Sequence, residues 1–161
     1  MNKINNILEL GPEIKLIISL GNPGEKYENT RHNAGHVLLD ILLKKKIISK
    51  DKYKIYKSID FMNNSGVFVS QKLHYYKLKP ENLLILHDDL DINIGGFKLQ
   101  FAKGPKVHNG ILSIEQHLKS DQFWRLRIGI ENRPAERLEK GRNFVLNNFN
   151  AEEKKILAEL F

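Results

Sequence analysis

Three short apolar runs limit what this chain can fold into more than any other feature: IKLIISL at 14–20, NLLILH at 82–87 and WRLRIGI at 124–130. Each reads as a buried strand, and stretches of helical period separate them. After the first run, Gly21-Asn22-Pro23-Gly24 marks a turn. Ala34, Val37, Leu38, Ile41 and Leu42 then recur at helical spacing as far as Lys44 to Lys46, cations that suit a helix C-terminus. The same reading predicts an exposed strand over 53–59, a helix over 65–78 halted by Pro80, and a strand over 96–102. Helices follow over 109–118 and 151–161, and Asp88-Asp89-Leu90-Asp91 is expected as an acidic loop leaving the second buried strand. Strands alternating with helices predict an α/β fold, a three-layer α/β/α sandwich around a mixed, mostly parallel sheet. At 161 residues and 41% hydrophobic content the chain holds one substantial core. A single domain is expected over 14–161, with 1–13 as a loose N-terminal extension.

Composition narrows the function classes. There is no cysteine, so disulfide frameworks and thiolate chemistry are excluded, which fits a reducing compartment. Glu9, Pro12 and Glu13 interrupt the N-terminus, no signal or transit segment is recognisable, and no apolar run approaches the roughly 20 residues that cross a bilayer. A cytoplasmic protein without a membrane partner is expected. The net charge of +7 favours a polyanionic partner, because lysines and arginines release counterions on meeting phosphates.

Open α/β sheets place their sites at strand carboxyl ends, and GNPGEKYENTRHN, HDDLD and KVHNG all fall there or nearby. His32, beside the exit of the first strand, can take a proton from water if a carboxylate holds its other ring nitrogen, and Asp88 is the natural candidate. Taken alone, a histidine before a helix reads more readily as a cap or surface residue. Other chemistries fit less well. His32 and His36 are four apart as in a zinc protease, but Asn33 stands where that motif needs Glu. Asp89, Asp91 and Asn93 imitate a calcium loop, but Gly95 falls one residue late and Gln100 replaces the bidentate Glu. No dinucleotide fingerprint, phosphate-binding P-loop or G-x-S-x-G elbow is present. Neither a metal nor a cofactor is expected, and direct attack by water remains.

The run LIISLGNPGEKYENTRHNAGHVLLD closely resembles the N-terminal signature of bacterial-type peptidyl-tRNA hydrolases. FMNNSG at 61–66, LHDDLD at 86–91, HNGILSIEQHL at 108–118 and FWRLRIGI at 123–130 resemble the same family in the same order. The resemblance implies hydrolysis of the ester joining peptide to tRNA, with His32 as base, Asp88 keeping it basic, and Asn22 distinguishing a blocked peptidyl chain from a free aminoacyl group. It also implies Tyr27, Phe61, Asn63 and Asn109 as substrate contacts. Asn63 can donate to a developing oxyanion, while Asn22 and Asn109 can pair with the peptide main chain. Read one at a time, Asn22 remains a turn residue and Asn63 and Asn109 helix caps.

On the nucleic-acid side, the implied partner is peptidyl-tRNA, gripped at its acceptor stem and 3′ end by a monomer. Arg125 and Arg127 alternate along one strand and are expected on one, solvent-facing side. Arg127 matches the family's contact with the 5′-phosphate; its usual partner falls on neutral Gln100, leaving Lys98 and Lys103 to substitute. The chain departs from the family pattern between Asp40 and Phe61, where a strand hairpin is missing, so the sheet is expected to be smaller. The gate before H-N-G is reduced to Gly104-Pro105-Lys106-Val107. These departures keep open a non-catalytic, splicing-factor-like RNA-binding relative of the same fold, and a small-ester hydrolase.

Overall fold

The computed structural model describes residues 14–161; the extension expected at 1–13 lies outside them. Five strands form one sheet: β1 (Leu16–Ser19), β2 (Lys54–Lys57), β3 (Leu83–Asn93), β4 (Phe97–Phe101) and β5 (Trp124–Glu131). Their order is β2-β1-β3-β5-β4, with β4 antiparallel to β5 and every other pairing parallel. The helices are α1 (Ala34–Lys44), α2 (Ser65–Tyr76), α3 (Asn109–Leu118), the single turn α4 (Gly141–Phe144) and α5 (Ala151–Glu159).

Strand alternation divides the core. Ile17, Leu84, Leu86, Leu126 and Ile128 face Leu38, Leu39 and Leu42 of α1 and Leu157 of α5. Leu16, Ile18, Leu83 and Ile85 face Phe68, Val69 and Leu73 of α2 and Ile111 and Ile114 of α3. Helices on both faces make the three-layer α/β/α sandwich, and each such side chain contributes about 1.5–3 kcal/mol on leaving water. Helix α2 ends at Tyr76, short of the predicted 78, because Lys77 turns left-handed (φ 53°) and Leu78 N–H folds back onto Leu73 O. Gly35 lets the first turn of α1 lie directly on the sheet: a Cβ there would sit 2.4 Å from Leu86 O and 2.8 Å from Leu20 O. That approach brings the residues just before α1 over the end of β3.

Two expectations need correction. HDDLD is not a loop: β3 continues through it to Asn93, with Asp88 and Asp89 buried and paired in register with Ile128 and Gly129 of β5. A strand tolerates two buried carboxylates because each finds a charged or hydrogen-bonding partner from a distant segment. Arg125 and Arg127 do share a face, but it is not solvent-facing. Both are buried, since Glu115 of α3 meets Arg125 and the Gly104 segment packs onto Arg127 beside Asp89 and Gln100. Arg125 Nη2 donates to Glu115 of α3 at 2.7 Å, and its guanidinium lies 4.2 Å from the Phe123 ring.

Candidate active site

The 3-10 turn Arg31–Asn33 carries His32 into position. His32 N–H donates to Val145 O at 2.7 Å and Arg31 N–H to Asn147 O at 3.1 Å, so residues 144–149 strap this turn from outside. His32 Nδ1 lies 2.8 Å from Asp88 Oδ2. The other carboxylate oxygen, Oδ1, lies 2.8 Å from Nε2 of His108, the N-cap residue of α3. His108 Nδ1 accepts from Ile111 N–H at 3.2 Å, which puts that ring's proton on Nε2, facing Asp88. Asp88, buried and ionised, therefore accepts from two imidazoles, and His32 carries its proton on Nδ1. Nε2 of His32 is left with a free lone pair on the cavity side.

Electrostatics favour this arrangement. Burial pushes the His32 pKa down, but the charge of Asp88 and the hydrogen bond to it outweigh burial, and the net pKa is raised above its ordinary value. Burial alone would raise Asp88; the two facing histidines hold it far below the usual carboxylate range. His87, fully buried, is pushed down to about 3 by burial and then by His108, and stays neutral with Nδ1 2.7 Å from Asp88 O. His32, Asp88 and His108 offer ligand atoms within 4.8 Å of one another. The 2.8 Å contacts within the trio are hydrogen-bond distances. His36 does not join His32; its Nδ1 lies 2.7 Å from Ser19 Oγ.

A cavity of about 550 Å³ opens over His32. One wall is polar, with Asn22, Tyr27, Asn63 and Asn109. Asn22 Oδ1 accepts from Met62 N–H at 2.8 Å, and its backbone is locked to the Asn33 amide at 2.8 and 3.0 Å. Its Nδ2 is thus the group it offers to the cavity, more than a turn residue needs. Asn63 and Asn109 are exposed on this wall, and the α3 cap is His108 rather than Asn109. Phe61, 53% exposed, stands edge-on to Tyr27 at 6.1 Å on the rim. The lining also holds an apolar wall: Leu90, Val107, Val145 and Leu146. Sequence reasoning missed this wall, its neighbour Arg142, and the hold of His108 on Asp88. His108 lies in the KVHNG segment, but nothing local tells that its ring reaches Asp88, and residues 141–146 show no motif.

The expected phosphate contacts lie outside the cavity. Lys98 and Lys103 are exposed, Lys98 directly opposite Arg127 across β4 and β5. Arg127 is buried and occupied: Nε donates to Asp89 Oδ2 at 2.7 Å and Nη1 to Gln100 Oε1 at 2.6 Å. Gly104, at φ 61°, packs against it so closely that a Cβ would lie 2.4 Å from Arg127 Cζ. Asp91 accepts from Lys106 N–H at 3.1 Å, so the acidic strand end also anchors the gate segment.

An α/β sandwich with a carboxylate-held imidazole in a cleft at the strand carboxyl ends is the kind of arrangement that hydrolysis by a general base requires. The Peptidyl-tRNA hydrolase family model matches residues 16–161. The peptidyl-tRNA hydrolase of Mycoplasma capricolum is 41% identical, over 92% of this chain and 87% of its own length. That of Aquifex aeolicus is 36% identical, over 92% and 84%. The crystal structure of the Acinetobacter baumannii peptidyl-tRNA hydrolase superposes with a TM-score of 0.76 at 32% identity, covering 91% of this chain and 82% of that one. The chain belongs to the peptidyl-tRNA hydrolase family. No described helix is long and apolar enough to cross a membrane.

Proposed function

We propose that the chain hydrolyses the ester between the peptide carboxyl carbon and the 3′-terminal ribose of peptidyl-tRNA, releasing peptide and tRNA. The observation that carries this reading is the His32–Asp88–His108 chain, which leaves one unprotonated nitrogen facing a cavity walled by amides. Water attacks the ester carbonyl as His32 Nε2 takes its proton. Negative charge gathers on the carbonyl oxygen, where the Asn63 amide N–H donates to it. The carbon–oxygen bond to the ribose then breaks, and His32 returns the proton to the leaving ribose oxygen. Asn22 and Asn109 pair with the peptide main chain, so an N-acylated substrate is required whatever its side chains. All these groups come from one chain, which supports a monomer as the working unit. Lys98 and Lys103 meet acceptor-stem phosphates, and Arg127 shares their face while compensated by Asp89. The reaction belongs to translation, hence to the cytoplasm. The hydrolase relatives do not favour the non-catalytic alternative.

The test is turnover of N-acyl-aminoacyl-tRNA, free aminoacyl-tRNA and a small carboxylic ester by the purified chain. Rapid hydrolysis of the first alone is expected. Binding without turnover would return the non-catalytic reading, and equal turnover of the small ester a general esterase.

Two further results follow from the geometry. Asn63→Ala is expected to lower kcat by about 10²–10³ with little change in KM, the cost of one oxyanion donor. A rise in KM with kcat unchanged would contradict that role. The pH profile of kcat/KM should have its acid limb above 6.5, because His32 must be neutral to act and its pKa is raised. Activity therefore drops as pH falls through that value. An acid limb well below about 6 would mean that another group supplies the base.

A further inference from the structure

Six arginines occur in the chain, and five face a carboxylate. Arg31 pairs with Glu153, Arg125 with Glu115, Arg127 with Asp89, and Arg133 and Arg137 with Glu131. Arg142 is the exception: among the described residues it has no ion-pair or hydrogen-bond partner, and it is exposed at the cavity that holds His32. It stands on α4 at the end of the apolar wall, where Gly141 abuts Leu90. A cation left uncompensated in a catalytic cleft is a site for an anion the protein does not itself supply.

We propose that Arg142 binds the phosphodiester on the 5′ side of the 3′-terminal nucleotide, making the apolar wall the nucleotide side of the cleft. The inference rests on the hydrolase reading. His32 marks the scissile bond, so the acyl chain and the leaving nucleoside extend to opposite sides of it. The amides of Asn22, Asn63 and Asn109 suit a peptide main chain, which needs donors and acceptors. Leu90, Val107, Val145 and Leu146 offer none from their side chains and suit the flat face of a base. The leaving ribose carries its own phosphodiester one sugar away from the scissile oxygen. The guanidinium fork matches two phosphate oxygens. Arg127, buried and neutralised by Asp89, is not available for this contact without breaking that pair.

The test compares two fragments, the 3′-N-acetylaminoacyl esters of adenosine and of adenosine 5′-monophosphate, with wild type, Arg142→Ala and Arg142→Lys. The wild type is expected to favour the phosphorylated fragment by about tenfold or more in kcat/KM, the effect of charge-assisted hydrogen bonds. Arg142→Ala should bring the ratio close to one, and Arg142→Lys should keep part of it. With N-acyl-aminoacyl-tRNA, the slope of log affinity against log salt should fall in Arg142→Ala by about 0.7, one phosphate contact to a single strand. A ratio that survives in Arg142→Ala, an equal loss on both fragments, or an unchanged salt slope overturns the proposal. So does a preference that follows acidic residues in the acyl chain, which would place Arg142 on the peptide side. A wild type that hydrolyses neither the fragments nor N-acyl-aminoacyl-tRNA would overturn the hydrolase reading instead.

Discussion

His32→Ala is expected to lower kcat/KM for N-acyl-aminoacyl-tRNA by about a thousandfold or more, with tRNA affinity retained. His32 keeps a ring nitrogen without a partner, whereas His108, which also lines the cavity, spends both of its nitrogens on Asp88 and Ile111 N–H. Asp88 is ionised but spends both oxygens on His32 and His108, so it cannot take its place. Asp88→Asn should reach a similar loss by a different route. The introduced amide can keep an oxygen towards His108 Nε2–H, which turns its NH₂ towards His32 Nδ1. The His32 proton then moves to Nε2, where it faces the water it should receive from. The same substitution removes the charge that raises the His32 pKa and leaves the burial that lowers it. The acid limb of the small residual activity should therefore move down, below 6.5, even as the rate falls. Retained activity in His32→Ala, or an acid limb that stays in place in Asp88→Asn, would remove His32 or Asp88 from the mechanism.

The architecture was legible because apolar periodicity survives in a single sequence: the runs at 14–20, 82–87 and 124–130 mark the three central strands, although β3 runs on to Asn93. What periodicity cannot report is which face another element covers. Arg125 and Arg127 were expected in solvent because alternation alone is blind to what packs over that face. Asp88 and Asp89 were expected in a loop because their compensation comes from far away: His32 is 56 residues from Asp88, and Arg127 is 38 residues from Asp89. The candidate site divides in the same way. His32, Asp88 and the asparagine wall fall in segments with recognisable spacing, and the fold gathers them at one cavity. His108 fell in a recognisable segment but its hold on Asp88 did not show, and the 141–146 segment joined the cavity without any local signal, since both parts depend on contacts that only the fold creates.

The contact that holds this arrangement together lies one residue from the base, and Glu153→Ala should show how strongly. Arg31 and Glu153 are 7% and 1% exposed. Arg31 Nε and Nη2 donate to the two Glu153 oxygens at 3.1 and 2.9 Å, Nη1 reaches Phe144 O at 3.3 Å, and the guanidinium lies 4.0 Å from the Phe144 ring. Glu153 also accepts from Asn150 N–H at 2.9 Å, while its own N–H donates to Asn150 Oδ1 at 2.8 Å, closing the capping box of α5. Removing the carboxylate leaves a buried guanidinium without its counter-charge and takes away half of a helix cap. The expected loss is about 3–5 kcal/mol, or roughly 6–20 °C in Tm for a domain of this size. Chemical denaturation with unchanged m-values would measure it. Replacing both partners, Arg31→Met with Glu153→Leu, should recover much of the loss, because the cost arises from the stranded charge more than from the missing pair. A single substitution costing less than about 1 kcal/mol would show that water reaches Arg31 in place of Glu153. Because Arg31 and His32 both donate backbone N–H groups to the 144–149 strap, Glu153→Ala should also lower kcat at temperatures where the protein is still folded. Loosening α5 frees the strap, and with it the turn that aims His32 at the substrate.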